Sequence, residues 1–275
     1  MITDQLLYVI FSTKLCQRSW LRDSNLLAKV ISQEQFGFLS HRQILDAVGA
    51  AQEGIHSIKV KKMKVALLKL DLVKAYDRVD WGYLRLLLLH VSLALVMVSW
   101  VMACICSVNF YVLVNGIPTD YFLGSRGLRQ GCPLSPLLFL MVIDGLSLMI
   151  RDAAQRGQLQ GVKVSNSIKL SHILFVDDIL IFVALSRIEW ICYKSIFDTY
   201  CMATGMEFSD DKSCFIAPSG HMNRHILDIL PFNCIYLDKG FKYLGFSLKA
   251  TGYNRLDWEW LLKRVESRVG HWAVD

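Results

Sequence analysis

Two adjacent carboxylates, Asp177 and Asp178, interrupt an apolar run. The stretch Ile173–Val183, ILFVDDILIFV, is rich in β-branched and aromatic residues on both sides of that break. Such runs around a two-residue interruption read as a β-hairpin with the acids at its tip. Neighbouring carboxylates repel one another and are costly to place against a dry core, so something positive must offset them. A divalent metal is the usual candidate. A third acid, Asp71, ends Val65–Asp71 (VALLKLD), which has the pattern of a buried strand. If these strands are neighbours in one sheet, three carboxylates converge at one edge, an arrangement that holds two Mg²⁺ ions. Magnesium takes oxygen ligands and keeps positions open for substrate phosphates. Singly each acid reads as a cap, turn or surface residue; together, on strand ends, they favour metal.

The elements that must position these acids follow from local pattern. Val108–Asn115 (VNFYVLVN) alternates and closes on Asn115-Gly116, a hairpin signal. Ser135-Pro136 suits an N-cap followed by a first helical position, and predicts a helix from Leu137 to about Ala154. A second helix is predicted from about Arg187 to Thr204, stopped by Gly205. A short strand pair is expected around Phe241–Leu248. The stretch Trp258–Trp272 is amphipathic, with Leu261, Leu262, Val265, Val269 and Trp272 on or near one stripe. Residues 1–34 form an amphipathic, helical lead-in. Helices interleaved with mainly antiparallel strands indicate an α+β protein.

A chain of 275 residues has room for one large domain or two small ones. Its formal net charge of +6 mildly favours an anionic partner such as nucleic acid. The eight cysteines are irregularly spaced, without a CxxC pair, and no signal peptide is visible. They read as reduced thiols of an intracellular protein. Cys214, His221, His225 and Cys234 make the densest metal-like cluster, but the metalloprotease glutamate is absent between the histidines, and a solvated segment is expected. Leu86–Cys106 carries no formal charge and is long enough to span a bilayer. His90, the serines, Trp100 and flanks without basic asymmetry predict core helices instead.

Three segments carry a resemblance in order: Lys69–Trp81 (KLDLVKAYDRVDW), Arg126–Phe139 (RGLRQGCPLSPLLF) and Phe175–Asp178 (FVDD). They resemble successive motifs of the reverse transcriptase of non-LTR (LINE-type) retrotransposons, most of all the elements abundant in plant genomes. The resemblance runs from about Gln35 to Trp272. It implies a right-hand polymerase palm with partial fingers and the start of a thumb. The divisions it implies are 1–34 as a poorly matched lead-in, 35–255 as the reverse transcriptase domain and 256–275 as the beginning of the thumb.

The same resemblance assigns roles. Asp71, Asp177 and Asp178 match the catalytic metal-binding carboxylates, served by two Mg²⁺ ions with Mn²⁺ as an alternative. Tyr76 matches the bulky residue that excludes a 2′-hydroxyl; the bland reading is a core aromatic. Asp77 matches a further family acid outside the ligand set. Gln130 and Gly131 match the motif that positions template and incoming nucleotide, against the bland reading of a structural turn. Lys212, in GMEFSDDKS, matches a lysine that serves the leaving pyrophosphate. Arg42, in FGFLSHRQILDAV, matches an arginine of the fingers suited to phosphate. Phe241–Leu248 (FKYLGFSL) matches the primer-grip hairpin.

The implied activity is RNA-directed DNA synthesis from an RNA template, a DNA primer and deoxynucleoside triphosphates, with no obligate protein partner. A live element would act in the nucleus. Complete elements carry an endonuclease upstream and further segments downstream that are not recognisable in this sequence. The family's usual Gly-Arg reads Ser40-His41-Arg42, and Ser92-Leu93 stands where Gly-Phe is common. These departures lead to the expectation of a truncated copy, and to the alternative of an inactive remnant that at most binds nucleic acid.

Overall fold

The computed structural model describes residues 30–218 and 232–272 of the chain. Helix α1 (Ile44–Val60) opens at Gln43 with a capping box closed by Asp46, and buries Ala47, Ala51, Ile55 and Ile58. Strand β1 (Val65–Leu70) follows, then α2 (Ala75–Arg78), α3 (Trp81–His90) and α4 (Leu95–Cys106). Four two-residue strands come next: β2 (Asn109–Phe110), β3 (Leu113–Val114), β4 (Ile117–Pro118) and β5 (Phe122–Leu123). Strand β3 pairs with β4 and β2 with β5, so the Asn115-Gly116 turn forms as predicted. Helix α5 (Ser135–Gln155) leads to the small pair β6 (Val162–Lys163) and β7 (Lys169–Leu170). Strands β8 (His172–Phe175) and β9 (Asp178–Ala184) are the predicted acid hairpin, followed by α6 (Arg187–Thr204). The chain continues through β10 (Cys214–Ala217), β11 (Asn233–Tyr236), β12 (Phe241–Tyr243), β13 (Phe246–Leu248) and α7 (Glu259–Trp272).

The central sheet has the order β11-β10-β1-β9-β8. Strand β1 is antiparallel to both neighbours, and β10 runs parallel to β11. Alternation along β1 and β9 divides their side chains between two cores. Leu68, Leu70, Ile179, Ile181 and Val183 pack with residues of α5 and α6. Val65, Leu67, Leu180 and Phe182 face α1 and the β12–β13 hairpin. Both faces are covered, which is why these strands read as unbroken apolar runs. Each fully buried Leu, Ile or Phe contributes about 1.5–3 kcal/mol, so the middle of this sheet is the best-anchored part of the fold.

Three expectations meet a sharper outcome. Ser135 is the first residue of α5 rather than its cap, which is Leu134, and its hydroxyl donates to the Arg129 carbonyl at 2.7 Å. Pro136 sits in the first turn as expected. Leu86–Cys106 is broken between α3 and α4, with Ser92 at φ 61°. Among the described residues no helix is long and apolar enough to cross a membrane. Leu84, Leu88, Val98 and Val101 are buried instead, while Leu86 and Leu95 are exposed. Helix α6 ends at Gly205, φ 74°, as the sequence predicts. Of the helical lead-in expected over 1–34, residues 1–29 lie outside the described residues, as do His221 and His225, and 31–34 are turn and bend rather than helix; Cys214 and Cys234 fall on the neighbouring strands β10 and β11.

Candidate active site

The three carboxylates meet where β1 and β9 end. Leu70 pairs with Ile179, so Asp71 and Asp178 take the next opposed positions of the same antiparallel register. Opposed residues share a face, and this one continues the row of Lys69 and Leu180 towards the β12–β13 side. Asp178 also closes the β8–β9 hairpin opposite Phe175, which leaves Val176 and Asp177 as its two-residue loop. The backbone of Asp71 is clamped from the other side. Its N–H donates to Ser213 Oγ at 3.2 Å, and its carbonyl accepts from the Ser209 N–H at 2.8 Å. That same 209–213 segment brings Lys212 Nζ to 3.8 Å from Asp71 Oδ1. The lysine side chain is 72% exposed, so this pair adds little to stability.

Charge accumulates as the register requires. Burial, and then the neighbouring Asp177 and Asp71, hold the Asp178 carboxyl above the ordinary carboxylate range, while Lys69 works the other way. Burial and Asp177 push the Tyr76 phenol up, and burial and Asp178 do the same to Tyr243 on β12. The sequence assigns neither Lys69 nor Tyr243 a role of its own, although both lie inside segments that carry the resemblance. Lys69 was within reach of one, because it lies two residues before Asp71 and a strand alternates with period two. Nothing local marks Tyr243, which is fully buried more than sixty residues downstream of Asp178.

Tyr76 lies on a shelf. Its ring stacks on Phe139 of α5 with centroids 4.6 Å apart and planes 13° apart. The Arg126–Gln130 segment is sewn to the chain around Tyr76 by main-chain bonds: Gly127 N–H to the Val79 carbonyl at 2.8 Å, and Leu128 N–H to the Tyr76 carbonyl at 2.6 Å. The Trp81 indole N–H donates to the Gly127 carbonyl at 2.8 Å. These bonds bring Gln130 to Asp77, where its Nε2 donates to Oδ1 at 3.3 Å. Gly131 is left-handed at φ 81° and open to solvent. Beside this segment a cavity of about 510 Å³ is lined by Trp81, Phe110, Phe122, Arg126, Arg129 and Gln130. Arg42 stands elsewhere. Its guanidinium donates to the carbonyls of Ser32 and Gln35, both at 2.5 Å, and of Ile31 at 3.4 Å.

The donor set is chemically that of a hard cation. Three carboxylates share one end of the sheet, one of them held above its usual range by burial first and then by the other two, and positive charge relieves the repulsion part of that shift. Among the described residues no group of three His, Cys, Asp or Glu side chains is placed to hold a metal ion by itself.

Comparison with known proteins agrees with this architecture. A transposon TX1 149 kDa protein of Xenopus laevis is 28% identical over 261 residues, covering 92% of this chain and 19% of that protein. A Pol polyprotein from the type-1 retrotransposable element R2 of Popillia japonica is 26% identical over 222 residues, covering 74% of this chain and 35% of that protein. The chain thus spans about a third or less of these relatives. Telomerase from Candida albicans, solved with a fragment of telomeric RNA, superposes with a TM-score of 0.53 at 12% identity over 90% of this chain and 37% of that one. At that identity the likeness is one of fold, an α+β polymerase fold. Residues 14–248 match the family described as reverse transcriptase (RNA-dependent DNA polymerase). The chain belongs to the reverse transcriptase family, in its LINE-type, non-LTR retrotransposon branch.

Proposed function

We propose that the chain is the palm-centred part of an RNA-directed DNA polymerase that extends a DNA primer along an RNA template with deoxynucleoside triphosphates. The observation that carries this reading is the register that opposes Asp71 to Asp178, with Asp177 in the adjoining turn. In the reaction the primer 3′-hydroxyl attacks the α-phosphate of the nucleotide, a new P–O bond forms, and pyrophosphate leaves. Asp71, Asp177 and Asp178 would hold two Mg²⁺ ions, or Mn²⁺, which when bound activate the hydroxyl and neutralise charge on the pyrophosphate.

The remaining roles belong to the chain's own groups. Tyr76, braced by Phe139, walls off the 2′ side of the sugar and so excludes ribonucleotides by volume. Gln130, held by Asp77, offers an amide that both donates and accepts, and Gly131 lets the backbone approach template and nucleotide closely. Lys212 is an exposed cation beside Asp71, suited to donating to the departing pyrophosphate. For Arg42, the carbonyls that occupy its guanidinium favour anchoring of the 31–35 segment over a phosphate contact. The β12–β13 hairpin flanks the carboxylate face on the primer side, and α7 begins the thumb.

Primer extension by the purified chain on an RNA template with Mg²⁺ tests the reading. Incorporation that depends on Asp177 and Asp178 supports it. Salt-dependent RNA or DNA binding without incorporation gives the alternative, a non-catalytic remnant.

A further inference from the structure

The Val176-Asp177 loop lacks the residue its geometry favours. Positive φ occurs at its first position alone, as in a type II′ turn, where glycine fits without strain. Val176 occupies that position at φ 58°. A β-branched side chain in the left-handed region is a genuine outlier and costs roughly 1–3 kcal/mol. Pairing of β8 with β9 ends at Phe175 and Asp178, which leaves the Val176 N–H outside the ladder. A side chain 141 residues earlier takes it up. The Val176 N–H donates to Gln35 Oε1 at 3.1 Å, and the Gly37 N–H donates to the same oxygen at 2.8 Å. Gln35 is fully buried, and two backbone donors fix which end of its amide is oxygen.

The segment that carries Gln35 is itself fastened on three sides. Along β8, the Leu174 N–H donates to the Glu34 carbonyl and the Phe36 N–H to the Leu174 carbonyl, each at 2.8 Å. From α5, Asp144 Oδ1 accepts the Ser32 N–H at 3.0 Å. Arg42 gathers the carbonyls of Ser32 and Gln35 at 2.5 Å. Gly37 lies so close to the turn that a Cβ there would stand 2.5 Å from Val176 Cγ2 and 2.9 Å from Val176 N.

We propose that Gln35, backed by Gly37, is a positioning residue for the carboxylate turn: its amide oxygen holds Val176 in the left-handed conformation and thereby fixes where Asp177 is presented. Without that bond the turn carries an unpaired buried N–H as well as its strain, and Val176 relaxes out of the left-handed region, taking Asp177 with it. The consequence for metal affinity rests on the functional reading above; the hold on the turn does not.

Gln35→Met in the full chain keeps the volume and removes the acceptor. Two readouts decide: hydrogen exchange at the Val176 amide, and binding of Mn²⁺ alone followed by the resonance of the free ion. The Val176 amide is expected to be protected in the wild type and to exchange at least about tenfold faster in the variant, while the Mn²⁺ dissociation constant rises about tenfold, equivalent to about 1.4 kcal/mol. Adding Val176→Gly restores most of the Mn²⁺ affinity, because glycine adopts the turn unaided. Leu39→Ala, a buried change in the same region, lowers stability and leaves Mn²⁺ binding alone. Should Gln35→Met not fold, Gly37→Ala pushes on the turn directly and carries the same expectations. Unchanged Val176 exchange, or a loss of Mn²⁺ binding in Leu39→Ala equal to that in the positioning variants, overturns the proposal. A wild-type chain without Mn²⁺ affinity counts against the functional reading, and the exchange measurement then decides alone whether Gln35 holds the turn.

Discussion

Three two-residue hairpin loops in this molecule can be set side by side. Asn115-Gly116 joins β3 to β4 with both residues at positive φ, 51° and 82°, and Leu244-Gly245 joins β12 to β13 with 49° and 85°. Both have the dihedral signs of type I′ turns, with glycine at the second position and asparagine or leucine at positive φ in the first. Val176-Asp177 joins β8 to β9 with valine at positive φ. Asn115-Gly116 follows turn chemistry at both positions and Leu244-Gly245 at its glycine alone; Val176-Asp177 has no glycine and is held by Gln35 from outside the hairpin. Their surroundings differ in the same sense. Strands β2 to β5 are exposed throughout, whereas β8 and β9 are almost wholly buried. A loop that only reverses the chain can use the residues that reverse it cheaply. A loop that must aim two carboxylates is fixed by tertiary contacts, and its local strain is compensated by the packing around it.

The contrast predicts that fold and chemistry separate at the acid turn. The double variant Asp177→Ala, Asp178→Ala is expected to lose primer extension down to background and to lose Mn²⁺ binding. Its melting temperature should hold or rise, because like-charge repulsion beside the core is removed. A large fall in melting temperature would mean that the acids build the turn rather than being presented by it.

Acid should act on the same hairpin and spare the exposed ones. His172 on β8 is fully buried between the hydroxyls of Ser147 and Ser171, at 2.7 and 2.9 Å, and burial followed by the charge of Arg151 lowers its pKa to about 3. Below the ordinary histidine value the unfolded chain takes up a proton that the folded chain refuses. His172 therefore contributes stability that is fully present above about pH 6.5 and is lost as pH falls towards 3, by up to about 1.4 kcal/mol per pH unit. Denaturant unfolding between pH 7.5 and 4.5 should show that slope, and His172→Gln should flatten it.

Smaller effects sharpen the other half of the comparison. Gly116→Ala meets no neighbouring atom, so its cost is conformational, about 1 kcal/mol, and extension should be unchanged. Lys212→Ala should alter stability by no more than a few tenths of a kcal/mol, because its pair with Asp71 is exposed and 3.8 Å long. A clear loss of turnover at that near-zero stability change would assign the lysine to pyrophosphate departure.

Much of this was legible in the residues themselves. Apolar runs of the right length placed β1, β8 and β9, and Gly205 ended α6 where it was expected. Asn115-Gly116 marked its hairpin, and the order of the Asp71, Arg126–Phe139 and FVDD segments indicated the family before any coordinates. Local rules succeed there because the structure is set by neighbours a few residues apart. They failed at Ser135, whose hydroxyl turns to the Arg129 carbonyl instead of capping α5, because a competing acceptor entered from the preceding loop. At Leu86–Cys106 hydropathy alone would read as a membrane span, and the expectation of core helices, drawn from His90, the serines and Trp100, holds. Hydropathy sums apolarity but does not see the break at Ser92, beyond which α4 folds back onto α3 while α3 packs on α5.

The sequence by itself determined that acids would stand at strand ends and a hairpin tip, since strand periodicity and turn length are properties of short segments. Only the tertiary structure decided that those strands are neighbours in a register opposing Asp71 to Asp178, and that Gln35 reaches the N–H of Val176. These are relations between residues more than a hundred positions apart, chosen by which faces the cores bury and which backbone donors find an acceptor there.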